Sequence, residues 1–116
     1  MEASELMIGD WVFDGSINLQ VSASNIYDIY LGNWDKIKPI PLTEEILKAN
    51  KWKLLSNFDR ETYYSENGEF NLDFHNGDFR LIIHSRVIII KYVHQLQRIL
   101  RCCELWDLAN NFKVNG

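Results

Sequence analysis

The alternation of hydrophobic and polar positions is clearest between Phe70 and Ile90. Phe70, Leu72 and Phe74 alternate with Asn71, Asp73 and His75. After Asn76-Gly77-Asp78, the residues Phe79, Leu81 and Ile83 alternate with Arg80, Ile82 and His84. A period of two belongs to a strand with one covered face, and Asn-Gly is a favoured hairpin turn. Upstream, Trp52 to Leu55 and Arg60 to Ser65 read as two further strands, the second followed by a Glu66-Asn67-Gly68 turn. Residues 52–90 therefore predict an antiparallel meander. Its last member contains four consecutive β-branched residues, Val87 to Ile90. Such side chains are stiff at χ1 and suit a pleated surface. An unbroken apolar run of this kind predicts a strand covered on both faces, and we expect the rest of the chain to be organised around it.

The period changes after Tyr92. Val93, Leu96, Ile99, Leu100 and Cys103 recur at helical spacing, with Trp106 one turn further on, while Arg98 and Arg101 fall off that stripe. This predicts a helix from Val93 that closes the meander. A shorter helix is predicted near 44–50. Pro39-Ile40-Pro41 must be extended, Thr43 is a good N-cap, and Glu44 and Glu45 favour the positive end of the helix dipole. Leu42 can staple to Leu47, and Asn50 is a reasonable stop. At the N-terminus, Gly9-Asp10 and Asp14-Gly15 are turn signals. Trp11 with Phe13, and Ile17 with Leu19 and Val21, predict strands, and Ile26 to Leu31 a third one. The Gly-Asp-Trp-Val stretch also occurs in small SH3-like barrels, an analogy of shape alone. Phe112 and Val114 are candidates to anchor the tail. The fold class expected is thus α+β, a mostly antiparallel sheet with a small SH3-like N-terminal part, packed by a short helix at 44–50 and a longer one from 93.

With 116 residues, 47% of them hydrophobic, the chain suits one domain spanning 1–116. A net charge of −4 argues against non-specific DNA binding, which needs clustered positive charge. MEASEL lacks the basic and apolar regions of a signal peptide, and no apolar run approaches the ~18 residues of a membrane span. A cytoplasmic protein with no membrane partner is expected. Cys102 and Cys103 are adjacent, so a disulfide between them is not expected; one buried and one exposed thiol are.

Candidate chemistry is sparse. His75 and His84 lie on neighbouring predicted strands near Asp73 and Asp78, but nothing forces the three or four convergent ligands that a metal needs. Asp59 and the other carboxylates show no spacing that makes a catalytic pair, and there is no nucleophile elbow or phosphate loop. No catalytic residue, metal or cofactor is assigned. His94, Gln95 and Gln97 form a polar shoulder on the first turn of the second helix. Together with an exposed aromatic such as Trp34, they are the candidate binding residues.

Three stretches carry a resemblance: Ile8 to Val12 (IGDWV), Pro39 to Leu47 (PIPLTEEIL) and Tyr92 to Gln97 (YVHQLQ). In this order they resemble a family of small uncharacterised proteins encoded by Bacteroidetes and their phages or mobile elements. Where relatives follow the last motif with an aromatic residue and a Leu-Thr-Gly turn, this chain has RILRCCELWDL. The resemblance implies an accessory role on a phage or mobile element and brings no activity. The function expected is a non-enzymatic interaction module that binds a protein partner or itself. The alternative is a nucleic-acid-binding accessory module using Lys36, Lys38, Arg98 and Arg101. A third reading is a small enzyme using His94 with a carboxylate.

Overall fold

The computed structural model describes residues 1–57, 60–83 and 85–114. After a 3₁₀ turn at Ala3–Glu5, the elements are β1 (Trp11–Phe13), β2 (Asn18–Gln20), α1 (Ala23–Tyr30), β3 (Lys38–Pro39), α2 (Glu44–Ala49), β4 (Lys53–Asn57), β5 (Arg60–Tyr64), β6 (Asn71–His75), β7 (Asp78–Ile83), β8 (Arg86–Ile90), α3 (Val93–Cys102) and α4 (Trp106–Asn110). The chain is α+β, with a three-stranded sheet and a five-stranded sheet, both antiparallel. It forms two compact units. One comprises Met1–Pro41 with Tyr92–Gly116, and the other is Leu42–Lys91.

In the first unit the sheet order is β2-β1-β3. The third strand is Lys38–Pro39 and not the predicted 26–31, which is the helix α1. Ser22 caps α1 by accepting from the Asn25 amide, and the Asn25 side chain accepts from the Ser22 amide in return. That reciprocal cap satisfies two amide donors at the helix start and favours a helix over the strand expected for this stretch. Val12, Val21, Ile29, Ile37 and Leu6 form a core against which Leu19, Ile26 and Trp34 pack. The helix α3 begins at the predicted Val93 and packs on β1 and α4. Val93, Leu96 and Leu100 are fully buried, as the helical spacing requires. Phe112 and Val114 are also buried, and the Phe112 carbonyl accepts from the Trp11 indole at 2.6 Å.

Two expectations for α3 are corrected. Arg101 does not face solvent; it is buried and ion-paired with Asp10. Cys103 is not on the buried stripe, and both thiols are exposed. The helix stops at Cys102, and Glu104 takes the left-handed conformation with φ 63°. Cys103 is already the C-cap, and the reversal at Glu104 takes Trp106 off the helical spacing.

The second unit is the predicted meander, with sheet order β4-β5-β6-β7-β8. Thr43 caps α2 by accepting from the Ile46 amide at 3.2 Å, and Leu42 and Leu47 are both buried. Asn50 closes α2 in a right-handed conformation, and Lys51 supplies the left-handed residue. The register divides the sheet into two faces. Tyr63, Leu72, Phe79, Leu81, Ile88 and Ile90 share the inner face. Leu55, Thr62, Asp73, Arg80, Ile82, Val87 and Ile89 share the outer one. Tyr63 is fully buried, edge-on to Phe74 and Phe79, and donates its hydroxyl to Glu44 of α2.

The largest departure from expectation concerns β8. It is not a central strand covered on both faces but the last strand of the sheet. Val87 is 52% exposed, Ile88 43% and Ile89 47%, and only Ile90 is buried. The physical reason is topological. In an up-and-down meander the last strand has one neighbour unless the first strand returns to pair with it. Here, among the described residues, β4 pairs only with β5 and β8 only with β7.

Candidate functional site

Of the residues expected to form a binding shoulder on α3, two are spent on internal structure. Gln97 is fully buried. Its amide oxygen accepts from the Trp11 amide at 2.9 Å, and its nitrogen donates to the carbonyls of Gly9 at 3.0 Å and Ala109 at 3.1 Å. One side chain thereby ties the start of β1 to α4. His94 is also buried and stacks on Tyr92 with ring centroids 6.0 Å apart. Burial pushes its imidazole pKa below the usual value, against the pull of Asp10 and Glu5, and Arg98 adds to the lowering. Its Nδ1 has no hydrogen-bond partner among the described residues. The expected exposed shoulder is therefore absent at these two positions. Gln95 is half-buried, and its side chain accepts from the Tyr92 amide at 3.2 Å, capping α3.

The dominant polar feature of the first unit was not legible in the sequence. The Asp10 carboxylate and the Arg101 guanidinium form an ion pair that is almost wholly out of solvent. Arg101 also donates to the Asn110 side chain at 3.2 and 3.3 Å, while Asp10 accepts from the Met7 amide at 2.9 Å. Gly9 lies against this group with φ 94°. A Cβ there would stand 3.3 Å from the guanidinium. The only hint in the chain is Gly9-Asp10, read as a turn; the partners sit 91 residues apart. Satisfied on all sides, the network orders the fold and offers no open reactive group.

Trp34 is half-buried and helps to line a cleft of about 490 Å³ in the first unit, together with Ile29, Tyr30 and residues Met1–Ser4. Beside it, α1 turns Tyr27 and Tyr30 outward, with Tyr30 76% exposed, and Leu31 follows at its end. Among the cations considered for nucleic acid, Lys36, Lys38 and Arg98 are on the surface, whereas Arg101 is committed to Asp10.

In the second unit, His75 is exposed and lies opposite Asp78 in the β6–β7 register, and His84 and Asp59 lie outside the described residues. No group of three or more His, Cys, Asp or Glu side chains among the described residues is placed to hold a metal. Nor is any helix among them long and apolar enough to cross a membrane. On the outer face of the sheet, Thr62 donates to Asp73 at 3.2 Å and Arg60 pairs with Asp73 at 3.2 Å. Toward the β8 edge the same face turns apolar through Ile82, Val87 and Ile89.

Fold and surface thus define an α+β protein with two antiparallel sheets, a closed polar network and two exposed apolar surfaces. No protein-family model, curated protein or solved structure matches the chain.

Proposed function

We propose that this chain is a non-enzymatic protein-interaction module, an accessory protein of a phage or mobile element, whose partner docks on the aromatic face of α1. The observation that carries the reading is the outward placement of Tyr27, Tyr30 and Leu31 beside the cleft at Trp34. Exposed tyrosines offer large, stiff, amphipathic area at small entropic cost, and tyrosine and tryptophan are enriched where truncation costs a protein interface most. At about 490 Å³ the cleft falls within the size range of ligand pockets and is large enough to take a partner side chain. The buried polar groups support the same reading, because Asp10 and Arg101 pair with each other and Gln97 is bound to the backbone of Gly9, Trp11 and Ala109.

The experiment is quantitative co-purification from the native host with the wild type and with Tyr30→Ala. A side chain this exposed contributes little to the fold, so the variant stays folded. A partner held by the wild type and lost or weakened about tenfold or more in the variant supports the proposal. Equal capture by both contradicts it. In parallel, gel shifts at low salt address the alternative. Nucleic-acid binding that depends on Lys36, Lys38 and Arg98 and collapses as salt rises would favour the nucleic-acid module instead.

A further inference from the structure

We infer that two copies of this chain join through β8, edge to edge and antiparallel about a two-fold axis at Ile88, so that two five-stranded sheets become one of ten strands. The inference stands apart from the aromatic face of α1 and does not need it. It starts from the kind of partner that a strand edge can take. The side of β8 away from β7 presents backbone N–H and C=O groups in extended geometry, and only another strand satisfies such a row completely. Natural edges are usually blunted by an inward charge, a proline or a bulge. Along β8 the charges stand only at the ends, at Arg86 and just past it at Lys91, and the three residues between Arg86 and Ile90 are apolar and half-exposed.

The sequence of the strand selects a second copy of itself. With the axis at Ile88, Ile88 meets the partner's Ile88 on the inner face, and Val87 meets the partner's Ile89 on the outer face. The β7–β8 register places Leu81 beside Ile88 and Ile82 beside Val87. The inner row then runs Leu81, Ile88, the partner's Ile88, the partner's Leu81, without a break. The outer row joins Ile82 and Val87 to the partner's Ile89. Every exposed apolar side chain of the strand lies against another one. Shifting the axis to Ile89 sets Val87 against the partner's Lys91, and shifting it to Val87 sets Ile89 against the partner's Ser85. At the Ile88 axis Arg86 faces the partner's Ile90, so no like charges are directly opposed. A symmetric pairing of this kind uses up both free β8 edges and stops at two copies.

The area sets the strength. Covering the exposed halves of Ile82, Val87, Ile88 and Ile89 removes on the order of 200 Å² of apolar surface per copy. Side chains thus supply roughly a third of the ~1,200 Å² total of a lasting interface, and the backbone ladder adds to that. An interface near the lower end of that size class is weak and concentration-dependent, and a Kd of about 1 µM to 1 mM is the range to search.

Sedimentation equilibrium of the full chain across that range tests the proposal. A monomer–dimer equilibrium is expected, weakened at least tenfold by Ile88→Lys, which places two ammonium groups at the axis, and unchanged by Tyr30→Ala. Circular dichroism checks that the lysine variant keeps its fold. A second test does not depend on that variant. With Cys102→Ser and Cys103→Ser removing the exposed native thiols, Ile88→Cys should cross-link to itself on mild oxidation, because opposed residues on antiparallel strands lie within disulfide reach. Val87→Cys alone should not, but should cross-link to Ile89→Cys when the two are mixed. A chain that stays monomeric throughout the range overturns the inference. So does growth into open-ended oligomers, which would mean β8 pairing with the β4 edge, and so does a dimer indifferent to Ile88→Lys that Ile88→Cys does not cross-link.

Discussion

Removing one half of the Asp10–Arg101 pair should cost more than any other single polar change in the molecule. Both side chains are essentially out of solvent. In Arg101→Met the Asp10 carboxylate keeps the Met7 amide, at 2.9 Å, but loses its counter-charge, and the Asn110 side chain loses both of its guanidinium donors. Stranding a buried charge of this kind costs about 3–5 kcal/mol, roughly a fifth or more of the stability of an ordinary domain. Asp10→Asn keeps the shape and strands the guanidinium instead, with a similar cost. The double variant Asp10→Asn/Arg101→Met strands neither charge. It should recover much of the loss, with a coupling of at least ~1.5 kcal/mol between the two sites. Urea unfolding followed by circular dichroism reads this directly. At a slope of about 1.5 kcal/mol per M, each single variant moves the midpoint down by roughly 2–3 M. Single-variant losses below about 1 kcal/mol, or losses that simply add in the double variant, would refute the view that the pair is a closed, mutually dependent unit.

Three other perturbations have definite outcomes. Gly9→Ala forces a side chain into φ 94° and sets its Cβ 3.3 Å from the guanidinium; a loss of about 1–3 kcal/mol is expected in the same urea assay. His94 is held neutral by burial, with a lowered pKa. The unfolded chain therefore takes up its proton first, and stability, constant above the ordinary value of 6.5, falls as pH drops beneath it. Melting temperatures measured from pH 7.5 to 5 should show that slope in the wild type and lose part of it in His94→Phe. Burial, and then its hydrogen bond to Glu44, push the Tyr63 hydroxyl pKa upward. The stability this confers is full below 10.0 and is lost as pH rises beyond it. Tyr63→Phe should cost about 1 kcal/mol at neutral pH and flatten the alkaline limb of a pH-dependent unfolding series.

What the sequence could and could not convey follows from the range of the interactions involved. The meander was legible because its signals are local: period-two alternation at 70–75 and 79–83, with Asn-Gly at two turns. So was α2, where Thr43, the paired glutamates and the staple from Leu42 lie within six residues of one another. The helix α1 was missed because Ile26 and Ile29 are separated by three residues among mixed neighbours, and its decisive signal was the Ser22–Asn25 cap rather than the apolar pattern. Burial of Gln97 and Arg101 was not legible, because polar residues on a helix ordinarily face water. Their partners at Gly9, Asp10 and Trp11 lie 86 to 91 residues away. The Val87–Ile90 run shows the same limit in reverse. A β-branched run specifies a strand and says nothing about how many neighbours it has. The sheet order left three of its residues half-exposed, and a strand read as core is an exposed edge.

Backbone hydrogen exchange along Val87–Ile90, compared at low and high protein concentration, tests most directly whether this edge is a surface for association. In the isolated chain the amides pointing toward β7 are protected and those pointing outward exchange quickly. The outward amides should slow by about tenfold or more at concentrations well above the dimer Kd, while amides of β5 and β6 are unaffected. Outward amides of β8 that exchange at the same fast rate at both concentrations would contradict it.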